Sequence, residues 1–148
     1  MHGMHAPTYR PHLIVVGGLS GSGKSTLARG LAGALGLPLI SKDTIKEALF
    51  DSLGWSDRAW SQRLGVASIT VLYRLLAQLL ATRTSCVIES IFRAELDGPR
   101  LRELCGQYDI QPLELQCVAL GELLVRRVSA RIVSGERHAG HADGTWME

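Results

Sequence analysis

Apolar and polar positions along this chain switch between two periods, and the switches mark its elements. Leu13 to Val16 is a short apolar run rich in β-branched residues, which predicts a buried parallel strand ending at Val16 or Gly17. From Lys24 the period becomes helical: Leu27, Ala28, Leu31 and Leu35 share a face, and Gly36 with Pro38 closes the helix. Pro38 to Ser41 predicts a second strand. Ser41-Lys42-Asp43-Thr44 then opens a helix through about Phe50, with Asp43 or Thr44 as its cap. After a turn over 51–56, a long helix runs from about Asp57 to Thr82. Its apolar side is Val66, Ile69, Leu72, Leu76, Leu79 and Leu80, broad enough for deep burial.

Ser85 to Glu89 predicts the third strand. Asp97-Gly98-Pro99 starts a helix that ends by Gly106, since proline suits a first turn. Pro112 to Ala119 is the fourth strand and Glu122 to Val133 the last helix. The stretch 134–144 is polar and rich in glycine and histidine, which predicts a mobile lid. The order βαβα(α)βαβα argues a parallel α/β sheet with helices on both faces. No repeat or linker divides it, so residues 12–148 read as one domain behind a flexible N-terminus, 1–11. Ligands of such sheets bind outside the carboxyl ends of the strands.

One stretch at such an end carries chemistry. Gly18-Leu19-Ser20-Gly21-Ser22-Gly23-Lys24-Ser25 fits G-x-x-x-x-G-K-[ST], between a strand and a helix as that phosphate-binding loop requires. The glycines let Gly18, Ser20, Gly21, Ser22 and Gly23 curl their backbone N–H groups inward around an anion, and the helix N-terminus adds its positive end. Lys24 is placed for the β- and γ-phosphates, Ser25 for Mg²⁺ and Thr26 for the α-phosphate. The expected ligands are therefore ATP and Mg²⁺.

Asp43 and Glu89 also follow strand ends, so the topology brings three separate segments to one crevice. Asp43 fits a base for an acceptor hydroxyl near the γ-phosphate, or a helix cap. Lys46, one turn on, faces acceptor or solvent. Glu89 sits where a Walker-B-like carboxylate belongs and binds Mg²⁺ through water or positions the acceptor. Ser90, Phe92 and Arg93 follow it and fit a lining of the acceptor pocket, though Phe92 suits the core better. Arg127 and Arg131 lie four apart on one helix, and Arg137 follows in the lid. Arginines delivered by a lid stabilise the charge that phosphoryl transfer leaves on equatorial oxygens. His138 and His141 fit lid or substrate contacts, or equally solvated loop positions, better than a metal site.

Composition narrows the setting. The net charge of +2 is too small to imply nucleic acid, and aromatics do not interleave with the basic residues. Three cysteines, Cys86, Cys105 and Cys117, lack metal-site spacing and fit small buried hydrophobes in a reducing cytoplasm. Met1 to His12 has no apolar signal core, and no apolar run looks long enough to span a membrane.

Taken together, Gly18 to Ala28, Leu39 to Lys46, Val87 to Phe92, Arg127-x-x-x-Arg131 and Gly135 to His141 resemble the AAA-type predicted P-loop kinases. That group is similar to the branch holding zeta toxins, polynucleotide 5′-hydroxyl kinases, gluconate kinases and chloramphenicol phosphotransferases. The resemblance runs from about His12 to Asp143. It implies an adenylate-kinase-like fold with sheet order 2-3-1-4-5 and ATP/Mg²⁺-dependent phosphorylation of a hydroxyl. It makes Asp43 the base and Arg131 and Arg137 the lid arginines. Such proteins carry a fifth strand and closing helix beyond the lid, whereas this sequence ends at Glu148. The expected sheet is therefore 2-3-1-4 with an uncovered edge, open to a second copy. The leading expectation is a kinase acting on a small-molecule hydroxyl. The alternatives are a nucleotide-binding module without transfer and a polynucleotide 5′-hydroxyl kinase.

Overall fold

A computed structural model describes residues 9–141. The expectations placed on residues 1–8 of the N-terminus and on 142–144 of the lid lie outside the described residues. Four parallel strands form the sheet: β1 (His12–Gly18), β2 (Leu39–Ser41), β3 (Cys86–Glu89) and β4 (Gln111–Cys117). Their order is β2-β3-β1-β4, as expected. Five helices connect and cover them: α1 (Lys24–Leu35), α2 (Lys42–Leu53), α3 (Arg58–Ala81), α4 (Ala94–Tyr108) and α5 (Gly121–Ser134). A 3-10 turn follows at Ala139–His141.

Strand alternation distributes β1 between two cores. Leu13 and Val15 pack with Ile40 and Ile88 against Leu72, Leu76 and Leu80 of α3. Ile14 and Val16 pack with Val87 against Ala28 and Ala32 of α1. Register then fixes the site. Glu89 lies opposite Val16 on one side and Ser41 on the other, so β2 and β3 end at one level while β1 runs two residues further, to Gly18.

Several boundaries differ from the pattern-based expectation for identifiable reasons. Helix α2 starts at Lys42 because Ser41 Oγ accepts the Thr44 N–H at 3.4 Å, so neither Asp43 nor Thr44 is the cap. Asp57 caps α3 by accepting the Trp60 N–H at 2.8 Å. Val66 is 67% exposed rather than part of the buried side. The buried stripe runs Leu64, Ser68, Leu72, Leu76, Leu80, with Ser68 Oγ donating to the Leu64 carbonyl at 2.6 Å. Helix α4 starts before Asp97, whose carboxylate accepts the Arg93 N–H at 2.7 Å, and Pro99 lies inside the helix. It continues to Tyr108, beyond Gly106, and ends at Asp109 in the left-handed conformation, φ 51.

One expectation about membranes is corrected. Helix α3 is long and apolar enough, by length and composition, to cross a bilayer. Its Leu72, Leu76 and Leu80 belong to the core beneath the sheet.

Candidate active site

The chain leaves β1 in a tight turn, closed by Ser22 N–H donating to the Leu19 carbonyl at 3.1 Å, and re-enters as α1. Gly21 takes φ +83, a conformation that glycine adopts without strain. A Cβ there would also stand 2.9 Å from the Leu124 carbonyl of α5. Helix α5 therefore rests directly on the loop, and Arg127 donates to the Gly21 carbonyl at 3.0 Å. This places Arg127 as a brace of the loop's own backbone.

Lys24 and Ser25 begin α1 and turn toward Glu89. Glu89 is 1% exposed. Its Oε2 accepts from Ser41 Oγ at 2.6 Å and its Oε1 from Ser25 Oγ at 3.2 Å, with Lys24 Nζ 3.8 Å away. Burial lowers the Lys24 pKa, opposed by the charges of Glu89 and Asp43 and reinforced by Arg137 and Arg131. Thr26 is exposed on the first turn of α1. Gly18 and Gly23 flank the turn with positive φ.

Asp43 sits in the first turn of α2, and Arg137 Nη1 donates to its Oδ2 at 3.0 Å. Burial alone would raise the Asp43 pKa. Arg137, His141 and Lys42 outweigh it, and the carboxyl titrates below its ordinary value. Two cavities meet at this pair. One, of about 400 Å³, is lined by Ser25, Ser41, Arg131 and Glu136 as well as by Asp43 and Arg137. The other, of about 530 Å³, adds Leu19, Ser20, Lys46 and His141 to the same two. Asp43 thus stands where the cavity at Ser25 meets the hollow lined by Lys46 and His141.

The described part of the segment expected to be a lid is docked on α2 through 138–141. His138 stacks on Phe50 with ring centroids 5.1 Å apart, and its Nε2 lies 3.2 Å from Asp51 Oδ1. Its Nδ1 accepts the Gly140 N–H at 3.0 Å. Gly140 packs so tightly on Phe50 that a Cβ would fall 2.6 Å from the ring. His141 is 7% exposed, and its Nε2 lies 2.9 Å from Glu47 Oε1. Burial and Arg137 lower the His141 pKa against the opposing pull of Asp43 and Glu47.

Residues 13–147 match a family model described as an AAA domain. The chain belongs to this family of P-loop kinases. A crystal structure of a candidate kinase from Chloroflexus aurantiacus is similar to it at 46% identity and a TM-score of 0.86, over 90% of this chain and 72% of that one. A chain of the Pnkp1/Rnl/Hen1 RNA repair complex is similar in fold at 22% identity and a TM-score of 0.64, over 84% and 39%. So is the Mycobacterium tuberculosis APS kinase CysC, solved with AMPPNP and APS, at 24% identity and a TM-score of 0.52, over 86% and 76%. No curated protein matches the sequence.

The donor set of this P-loop kinase fits a polyphosphate. Ser22 Oγ and one guanidinium nitrogen of Arg131 are buried without a partner among the described residues. Leaving such groups unsatisfied costs about 1–3 kcal/mol each, which an anion at the loop would recover. Ser25 Oγ and Glu89 Oε1 form an oxygen pair suited to a hard cation. No group of three or more His, Cys, Asp or Glu is gathered for a metal among the described residues. Most ligands of Mg²⁺ would accordingly come from nucleotide and water, as is usual for that ion.

Not every residue singled out by sequence comes to this crevice. Phe92 packs against the α3-side core and lines a separate cavity of about 500 Å³ with Leu13, Leu101 and Gln116. His138 holds the lid down and lines neither cavity at Asp43. Lys46 is 8% exposed and donates to Ser61 Oγ at 2.9 Å, with its head 5.4 Å from the Phe50 ring centroid. Sequence reasoning missed Ser41, which holds Glu89, and Phe50, on which the lid rests. Ser41 carried a signal as a hydroxyl between strand and helix; Phe50 carried none beyond an apolar position.

Proposed function

We propose that the protein is an ATP/Mg²⁺-dependent phosphotransferase that moves the γ-phosphate to a hydroxyl of a small molecule. The observation that carries this reading is the Asp43–Arg137 pair, standing between the phosphate loop and an open hollow of about 530 Å³. Bound ATP would supply the phosphoryl group, and Mg²⁺ would neutralise its oxygens. Lys24 and the loop amides orient the polyphosphate, while Ser25 and Glu89 would hold the cation. Asp43, ionised at neutral pH, takes the acceptor's proton as the hydroxyl oxygen bonds to the γ-phosphorus and the bond to the β–γ bridging oxygen breaks, releasing ADP. Arg131 and Arg137 face the equatorial oxygens and stabilise their charge. Lys46 contacts the acceptor, and His138 serves by keeping the lid closed over it.

A thermal-shift titration tests the nucleotide half. With ATP about a hundredfold above Kd, ligand linkage supplies about 2.7 kcal/mol. For a domain of this size that raises Tm on the order of 5–10 °C. The rise disappears in Lys24→Ala; its survival there would reject the role given to the loop. A screen of ADP release over sugars, aminoglycosides, nucleosides and 5′-hydroxyl oligonucleotides tests the transfer half. A shift with no ADP release on any acceptor would favour a nucleotide-binding module. Release with oligonucleotides alone would favour a polynucleotide kinase.

The free thiols of Cys86, Cys105 and Cys117 support a reducing cytoplasm, burial pushing Cys86 up to about 12. Among the described residues strand β4 lies at the sheet edge with Leu113 half exposed, which supports pairing with a second copy.

A further inference from the structure

Beyond the hollow under the lid, the crevice continues into a groove of about 640 Å³ between α2, α3 and α4. Four cations line it: Lys42, Lys46, Arg93 and Arg100. Lys42 and Lys46 are one turn apart on α2, so they share a face. Both Nζ atoms lie 3.8 Å from the point where a Cβ on Gly65 would stand. Arg100 is held over the Tyr73 ring, 3.7 Å from its centroid.

One carboxylate, Asp97, lines the groove among the described residues, and internal donors already engage it. Its Oδ1 accepts from the Tyr73 hydroxyl at 2.8 Å and its Oδ2 from the Arg93 backbone N–H at 2.7 Å. The groove therefore carries a surplus of positive charge in a concave wall, which concentrates anions. Gly65 adds a second observation. A glycine inside the 24-residue helix α3 gives up helix propensity relative to alanine. Here it leaves open the space on which two ammonium groups converge.

We propose, resting on the kinase reading above, that the phosphate acceptor is itself an anion. Its carboxylate or phosphate seats between Lys42, Lys46 and Gly65 while its hydroxyl reaches Asp43. Asp43 is the neighbour of Lys42 and lies three residues before Lys46. Hydroxyl and anionic group are thus separated by about one helical turn, roughly 5–6 Å. That spacing selects compact hydroxy acids or sugar phosphates and excludes neutral polyols as good substrates.

The test is calorimetric binding of two matched pairs, gluconate with glucose and ribose 5-phosphate with ribose. The protein is the full chain saturated with AMPPNP and Mg²⁺, with Lys24→Ala as a parallel series in which the phosphate loop cannot hold the added anion. The charged member of at least one pair binds about tenfold or more tightly, as charge-assisted hydrogen bonds provide. Preference in the first pair identifies a carboxylate seat, in the second a phosphate seat. The preference is lost in Gly65→Asp, which puts a carboxylate between the two ammonium groups, and weakened in Lys42→Gln. Unchanged AMPPNP binding shows that both variants fold. Equal responses to charged and neutral members, absence of any response included, overturn the proposal. So does a preference that survives both variants. Failure of AMPPNP to bind would count instead against the kinase reading, while the charge preference in the Lys24→Ala series still decides the anion seat.

Discussion

Two charges 94 residues apart in sequence, Asp43 and Arg137, meet at 3.0 Å, and His141 joins them from the docked lid. The lid's own histidine gives this corner a pH dependence. A buried imidazole with a depressed pKa stays neutral in the folded chain and takes up a proton more readily when unfolded. His141 therefore contributes stability that is full above its ordinary pKa of 6.5 and is lost as pH falls through that value toward the depressed one. Melting temperatures between about pH 7 and about pH 5 should fall with acid in the native chain, and less steeply in His141→Asn. Equal slopes would remove His141 as the titrating group. The local motif from Gly18 to Ser25 was legible because its spacing is contiguous. The Asp43–Arg137 contact was not, because only the docking of the lid creates it.

At the level of elements, hydroxyls and carboxylates decided what apolar spacing could not. Asp57 marks the start of α3 by capping it, and the helix begins where the pattern places it. Asp97 instead bonds back to Arg93, which starts α4 three residues before the proline signal suggests. On α3 the buried stripe includes Ser68, whose hydroxyl is satisfied within the helix, so a reading that counts apolar letters rotates the face toward Val66. The lid depends on one missing side chain. Gly140→Val would drive a branched carbon into the Phe50 ring, which already lies 2.6 Å from an added Cβ. The lid then cannot seat. Turnover should drop about tenfold or more while the ATP-induced rise in Tm persists, since the loop contacts lie elsewhere. Unaltered kcat in that variant would show that lid docking plays no part in transfer.

Across the whole molecule, the parallel sheet follows from the alternation of strand and helix and was legible in sequence, whereas its order 2-3-1-4 was an implication of the resemblance to P-loop kinases. What the pattern could not supply is depth: which strand tips end level, and which helix leans on the phosphate loop. The register of Glu89 with Val16 and Ser41, and the contact of Arg127 with Gly21, provide those facts. Strand β4 pairs with β1 on one side and stands at the end of the sheet order. Sedimentation over a range of protein concentrations should show a dimer that Leu113→Lys shifts toward monomer; a monomer throughout would rule out pairing at that edge. The central claim is that strand tips bring a phosphate loop and a base to one crevice for transfer. It is tested most directly by following labelled γ-phosphate from ATP to the acceptor found in the screen, with native protein and with Asp43→Asn. The account predicts labelled acceptor ester from the native chain, and loss of most of that product in Asp43→Asn at undiminished ATP affinity. Equal labelling by the two proteins would contradict it.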